Sequence, residues 1–566
     1  MKIRILFLFI FLSVLPLTIF RDFTPDNELK YLSIADEAIE EGHIFAFYNH
    51  GEPYADKPPL YLWAVIAGKL LFGEHLMWFL SLFSIIPALL ILSVMNKWVE
   101  HELREKERKT AVLLLFTSAF YLACSVVLRM DMLMTLFITL SLYTFYKMYR
   151  YNAGDRSYIA DNRAYKRQRL LFPVYIFLAI FSKGAVGILV PVVSVIVFLF
   201  VSGKIRTLGA YLGFLTWGIL AALCGLWFTG VYLDGGTDYL NNLLFNQTIN
   251  RAVDSFHHKE PVWYYGITYW YAIAPWSLLT FGVILLGFVK HKIKSDTEKL
   301  LATVTLSTLV MMSLVSSKIV IYLLPCFPFM LYLTALLLPK VKENFLVKLG
   351  IVLPAAALLL PFAAALLLLM LPDRSIQSVG ILNEAGLFLR ELPLCIPLPV
   401  LTALPAAGAI LALVRVKRDP GLSVQWLAAG VLALVFAASF SIPSLNNKIG
   451  LNGGCRMAYD IAENAGKSAA GSSTPAKPTL SFYDFRAGMN LDAYFKQYME
   501  ESGAYSGREI KEFTMRRLQQ SELDTVANVI MFVKTRDFSR DSILNRAMGH
   551  FPRYSFGEFS VVIAKR

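Results

Sequence analysis

Long apolar runs separated by short polar stretches dominate the first 445 residues. A helix needs about 20 apolar residues to cross a bilayer, and about thirteen runs reach or approach that length. They lie near residues 5–20, 77–96, 111–128, 132–149, 170–182, 185–202, 208–232, 263–289, 300–315, 319–338, 349–371, 393–414 and 423–441. Between residues 21 and 76 the period changes. Leu32, Ile34, Ala35, Ala38 and Ile39 fall on one side of a helix and Asp36, Glu37, Glu40 and Glu41 on the other, which predicts an interfacial helix. The apolar stretch from Leu60 to Phe72 is too short and interrupted to span, and predicts a second helix along the membrane surface. After Asn446 the pattern changes again. Gly466 to Pro478 reads as a flexible loop. Thr479 to Tyr483, Val529 to Val533 and Phe559 to Ile563 read as strands, and Asn490 to Glu501 and Met515 to Gln520 as helices. The pattern predicts a polytopic α-helical membrane protein over 1–445, with a large first loop over 21–76, and a soluble C-terminal α/β domain over 446–566.

Composition removes the soluble alternatives. With 56% hydrophobic and 17% charged residues, there is too little polar material to cover a soluble globule of 566 residues. The net charge of +13 does not indicate nucleic acid, because the basic residues sit between apolar runs rather than on one folded face. Four of the five cysteines lie inside apolar runs and show neither a paired framework nor metal-ligand spacing, so no disulfide is expected.

The basic residues instead set an orientation, since short loops rich in Lys and Arg stay on the cytoplasmic side. Clusters at Lys97 to Lys109 and Arg150 to Arg169, and pairs such as Lys204 with Arg206 and Arg415 with Lys417, each follow an even-numbered run. This predicts a cytoplasmic N-terminus, retained as the first helix, and a tail outside the inner membrane. The first loop then faces outward. So do three turns with ionisable residues at the membrane boundary: Arg129-Met130-Asp131, Ser182-Lys183-Gly184 and Ser316-Ser317-Lys318. Charges at that depth are costly and face a cavity or a partner. Arg129 reads as a snorkelling anchor.

Within these outer segments carboxylates and cations recur. Asp26 and Glu28 open the first loop, and Lys57 precedes two prolines that hold its backbone extended. The loop after the seventh run brings Arg251, suited to bidentate phosphate binding, and His257 and His258, which lack the spacing of a helical metal site. Tyr31, Tyr61 and Tyr322, with His258, are candidates to line a substrate pocket, or the tyrosines serve as interfacial belt residues. A carboxylate can deprotonate an acceptor hydroxyl while Lys and Arg neutralise a departing phosphate, a combination that suits sugar transfer from a lipid phosphate. No phosphate-cradling loop for a nucleotide occurs. A transporter or flippase of a lipid-linked sugar would also gather charges between helices, but no internal repeat or midplane charge accompanies them.

At these residues the chain resembles the polyprenyl-phosphate-dependent glycosyltransferases of the GT-C fold, of the protein O-mannosyltransferase and lipid A aminoarabinose transferase type. Lys57-Pro58-Pro59-Leu60-Tyr61 matches the family's Lys-Pro-Pro segment, Ser182-Lys183-Gly184 its Thr/Ser-Lys-Gly segment, and Ser317-Lys318 with Tyr322 and Pro325 its Ser-Lys segment. The resemblance implies an inverting transferase using a polyprenyl (undecaprenyl) phosphate sugar donor and no cofactor or metal. The acceptor is lipid A, a glycan or a protein, and the partners exclude nucleic acid. It implies Asp26, Glu28 and Asp131 as catalytic, and Lys57, Arg251, Lys183 and Lys318 as donor-phosphate ligands. Family members carry adjacent Asp-Glu followed by x-Arg-Tyr. Here, counting back from Tyr31 places Asn27 at the aspartate position, whereas counting from Pro25 keeps Asp26.

Overall fold

The computed structural model describes residues 2–24, 27–245, 259–370, 393–468, 479–483, 488–502, 511–513, 528–556 and 558–565. Among them, helices α1 (Ile3–Phe20), α2 (Glu28–Glu41), α3 (Leu60–Phe72), α4 (Met77–Trp98), α5 (Glu105–Phe116), α6 (Ala119–Val126), α7 (Asp131–Asn152), α8 (Asn162–Lys183) and α9 (Val186–Val201) build the N-terminal half. Every one of the thirteen apolar runs is occupied by helix. Among the described residues, seven helices are individually long and apolar enough to span, and two further pairs would do so as bent units. The pairs are α5 with α6, bent by 70°, and Tyr264–Ala272 with Ser277–Val289, bent by 118°. The protein is thus a multi-span membrane protein, with seven to nine spans by this measure among the described residues, against the thirteen expected. The difference lies in α7, α8, α9 and Asp296–Leu314. Helix α9 is short at 16 residues, and the others are diluted by charged, Tyr and Thr positions.

Helix α7 explains why such dilution is tolerated. Met132, Met134, Ile138 and Phe145 are wholly buried, and so are Thr135, Thr139 and Ser141. Their hydroxyls donate to carbonyls one turn back, Thr135 to Asp131 and Thr139 to Thr135, each at 2.8 Å. A helix surrounded by protein need not be greasy all round, because its polar groups are satisfied within its own backbone. Small residues allow close crossings elsewhere. A Cβ on Gly187 would meet backbone atoms of Ala179 and Ile180 at 2.3–2.5 Å, so α8 and α9 touch there backbone to backbone.

The first loop folds into α2, a hairpin of β1 (Tyr48–Asn49) and β2 (Glu52–Pro53), and α3. Beyond residue 452 a mixed sheet forms, with strands β3 (Thr479–Tyr483), β4 (Lys511–Phe513), β5 (Asn528–Lys534), β6 (Arg553–Phe556) and β7 (Phe559–Lys565) in the order β4-β3-β5-β7-β6. Pairing is parallel for β3 with β4 and β5, and antiparallel for β7 with β5 and β6. The helix Asp492–Ser502 occupies most of the stretch expected as helical, whereas Met515 to Gln520 lies outside the described residues. This domain sits on the first loop: Phe23 packs on Tyr494 at 6.3 Å between ring centroids, and Lys496 pairs with Glu40 at 3.0 Å. Its coverage alters the expected polar face of α2. Asp36 is buried and bound to His75 Nε2 at 2.7 Å rather than solvated.

Candidate active site

The site grows around the turn between α6 and α7. Arg21, the first residue after α1, donates from Nη1 to Glu28 Oε2 at 2.6 Å and from Nη2 to Glu28 Oε1 at 2.8 Å. Its Nη2 also donates to the Val126 carbonyl at 3.0 Å, while Glu28 accepts from the amides of Leu128 (2.7 Å) and Thr24 (2.6 Å). Both Glu28 oxygens thus accept two hydrogen bonds each, and the side chain is fully buried. The pair ties the end of α1, the start of α2 and the 126–128 backbone together, and so fixes where the next residues begin. Sequence reasoning missed Arg21. Its signal was a lone cation directly after an apolar run, where an ionisable group needs a partner.

Three residues further, Asp131 opens α7, where a carboxylate meets the positive end of the helix dipole. It is wholly buried and held from two sides: Lys183 Nζ donates to Oδ1, and Arg129 Nε donates to Oδ2 at 3.1 Å. Arg129 therefore turns inward, against its expected place at the lipid boundary. Lys183 ends α8, and its ammonium lies 4.9 Å from the centroid of the Tyr322 ring. Arg129 and Lys57 both lie close enough to repel it electrostatically. The next residue, Gly184, has φ +90° and ψ −146°. That backbone region is open essentially to glycine alone, which gives the Lys-Gly dipeptide a physical cause.

Lys57 caps the far side. Its Nζ donates to the Asp56 carbonyl at 3.3 Å, and Pro58 and Pro59 lead straight into α3. Tyr31 of α2 and Tyr61 of α3 meet edge to face at 5.6 Å, and the Tyr31 hydroxyl reaches Met130 Sδ at 3.7 Å. The Tyr61 hydroxyl is buried with no hydrogen-bond partner among the described residues. Burial pushes both phenols above their ordinary range, so they stay neutral donors.

The structure thus gathers Asp131, Lys183, Arg129, Lys57, Tyr31, Tyr61 and Tyr322. Lys318 is buried but committed elsewhere: its Nζ donates to the Glu260 carbonyl at 2.7 Å, and Ser317 forms a bridge with Lys259. It anchors the segment that follows residues 246–258. Asp26, Arg251 and His258 lie outside the described residues. Two cations, Lys183 and Arg129, hold Asp131, and Lys57 lies in electrostatic range of Lys183. Lys and Arg side chains have the charge and the donor geometry to bind a phosphate oxygen.

Bent and surface-lying helices ahead of a bundle, a buried acidic turn and a small sheet domain over the first loop define a polytopic membrane protein of the GT-C fold. Residues 3–231 match the family described as dolichyl-phosphate-mannose-protein mannosyltransferase. Two curated relatives are both named undecaprenyl phosphate-alpha-4-amino-4-deoxy-L-arabinose arabinosyl transferase. That from Aeromonas salmonicida is 26% identical over 344 residues, covering 59% of this chain and 60% of the relative. That from Aeromonas hydrophila is 27% identical over 346 residues, with the same coverage of each. The chain therefore matches about 60% of the length of these relatives. Among solved structures, ArnT from Cupriavidus metallidurans bound to undecaprenyl phosphate superposes with a TM-score of 0.69 at 15% identity. The match covers 99% of this chain and 97% of that one, and shows that the two share a fold.

Proposed function

We propose that the chain is an inverting glycosyltransferase that moves a sugar from a polyprenyl (undecaprenyl) phosphate carrier to an acceptor at the outer face of the bacterial inner membrane. The observation that carries this reading is the buried Asp131 clasped by Lys183 and Arg129, with Lys57 in electrostatic range. In this scheme the acceptor oxygen attacks the anomeric carbon as the bond to the carrier phosphate breaks, and the phosphate leaves with the electron pair. Lys57, Lys183 and Arg251 stabilise the charge that builds on it. Glu28, with all four of its acceptor sites taken by Arg21, Thr24 and Leu128, positions the turn and moves no proton. Lys318 holds Glu260 through its carbonyl.

The contacts of Asp131 bear on the acceptor. Both oxygens of Asp131 are engaged by cations, which leaves it to position groups and suits an acceptor already ionised, such as a lipid A phosphate. A protein or glycan hydroxyl would need Asp26 as base. The names of the curated relatives favour 4-amino-4-deoxy-L-arabinose as the sugar. The alternation of basic loops supports a cytoplasmic N-terminus, with the site and the 446–566 domain on the outer face.

The test is transfer by purified protein of radiolabelled sugar from a polyprenyl-phosphate donor to a membrane extract, beside Lys57→Ala and Asp131→Asn. Label reaching an acceptor with the wild type and not the variants supports the proposal. Movement of intact labelled donor between leaflets without transfer would replace it with the flippase reading.

A further inference from the structure

Away from Asp131, a cavity of about 300 Å³ opens between the start of α5, the helix Phe327–Val341 and the start of the helix Pro420–Ser439. Its charged lining is Arg104, Lys106, Lys342 and Arg418 against Glu107 and Asp419, so cations outnumber carboxylates two to one. Lys106 is paired with Asp419, and Arg104 with Glu107 at 3.1 Å. Arg418 forms no ion pair among the described residues, and Lys342 adds its charge beside Asp419. Directly next to this basic cavity lies an apolar groove of about 680 Å³, whose lining includes Phe9 and Leu12 of α1 and Leu422, Trp426 and Phe436 of the Pro420–Ser439 helix.

One side chain separates the two spaces. Gln425 lines the groove, yet its Nε2 donates to the Lys106 carbonyl at 3.0 Å and to Thr110 Oγ1 at 2.9 Å, both on residues that line the cavity. Thr110 in turn donates to the Gly421 carbonyl at 3.3 Å. A polar seam between α5 and the Pro420–Ser439 helix therefore stands where a basic recess gives way to a greasy trough. Phe9, Phe436 and Trp426 are exposed by about 40% or more, so the trough meets the bilayer rather than protein.

We propose that this is a binding site for one anionic phospholipid of the surrounding bilayer. Its phosphate and headgroup oxygens sit among Arg418, Lys342 and Lys106, and an acyl chain lies along the groove past Leu12 and Trp426. Charge selects the class. A zwitterionic headgroup would bring its own cation into a recess that already holds an excess, whereas an anionic one neutralises it. A bound lipid would span α1, α5 and the Pro420–Ser439 helix, and so clamp a part of the bundle remote from the sugar chemistry.

The experiment is native mass spectrometry of the full chain in mild detergent, with phosphatidylglycerol and phosphatidylcholine of the same chain length titrated separately. The expected result is one phosphatidylglycerol retained per chain in preference to phosphatidylcholine. Arg418→Gln/Lys342→Gln should weaken that retention about tenfold or more, given about fivefold per surface charge removed. Arg163→Gln/Arg167→Gln, which takes the same charge from another exposed basic segment, should retain the lipid as wild type does. Both double variants alter exposed side chains, and an unchanged thermal midpoint without lipid establishes that each is folded. Equal retention of the two lipids, or equal loss in the two double variants, would overturn the site and leave only a general attraction of basic loops for the membrane. Transfer activity does not enter the readout, so failure here and failure of the proposed function remain distinguishable.

Discussion

Lys183, the last residue of α8, donates from its ammonium to Oδ1 of Asp131, the first residue of α7, and the two side chains are 6% and 0% exposed. Each is expensive where it lies. Removing one partner of a buried pair leaves an uncompensated charge and costs about 3–5 kcal/mol. Lys183→Met should therefore lower the thermal midpoint in detergent, and Asp131→Leu should do likewise. The double variant should recover much of the lost stability while remaining inactive in sugar transfer. A Lys183→Met protein with the stability and turnover of the wild type would remove this pair from the account.

Glu28 is close in space to the same turn, but its chemistry is spent. Four donors occupy its two oxygens. Arg21→Ala should destabilise by about 3–5 kcal/mol through the buried carboxylate it orphans. Glu28→Gln should slow transfer through a displaced Arg129–Asp131 turn, while the pH profile of transfer keeps its shape. Loss of the acidic limb of that profile in Glu28→Gln would mean that Glu28 itself takes the proton.

Gly184 offers a test by backbone alone. Its φ of +90° with ψ of −146° admits a side chain only under strain of about 1–3 kcal/mol. Gly184→Ala should relax by moving Lys183 away from Asp131, so donor affinity and stability fall together. Gly42→Ala makes a useful comparison. Gly42, at φ +80° and ψ +20°, ends α2 in the ordinary left-handed region with open space around it. It should cost about 1 kcal/mol and leave donor binding unchanged. Equal effects of the two on donor affinity would sever the link between the Gly184 backbone and Lys183.

How much of this was legible in the sequence depends on which physical signal a residue leaves. Apolar length finds a helix whatever it packs against, so all thirteen runs are helical. Length cannot say whether a Thr- and Tyr-rich helix such as α7 is enclosed by protein, because that depends on neighbours distant in the chain. Lys57, Asp131 and Lys183 were visible as charges where charge is costly. The inward turn of Arg129 was not, since an arginine at a helix boundary looks the same whether it snorkels to lipid or meets an acid two residues on. Arg21 left the same kind of signal as Lys183 but stood outside any motif. Helical period alone places Asp36 on the polar face of α2 and says nothing of its burial. His75 and the residues more than 450 positions later, around Asp492, enclose Asp36, while Glu40 and Glu41 on the same face stay exposed.

That interface sets a pH dependence. Asp492 Oδ2 accepts from Ser33 Oγ at 3.4 Å and lies 4.0 Å from both His50 Nδ1 and Lys496 Nζ. Burial raises its carboxyl to about 6; the nearby Asp36 also raises it, while His50, Lys496 and Ser33 pull it down. In an unfolded chain an aspartate titrates near about 3.9. Between about pH 4 and 6 the folded protein therefore holds a proton that the unfolded chain has released. Stability from this group is fully present at the lower end of that window and is lost as pH rises through it. Asp492→Asn, neutral at every pH, should thus be more stable than wild type at pH 7.5 by about 3 kcal/mol, with the difference closing toward pH 4. Hydrogen exchange of the Asp492–Ser502 helix and of α2, followed from pH 4 to 8, would locate the effect. If the two proteins differ by the same amount at both ends of that range, the ionisation of Asp492 does not govern how the C-terminal domain docks on the first loop.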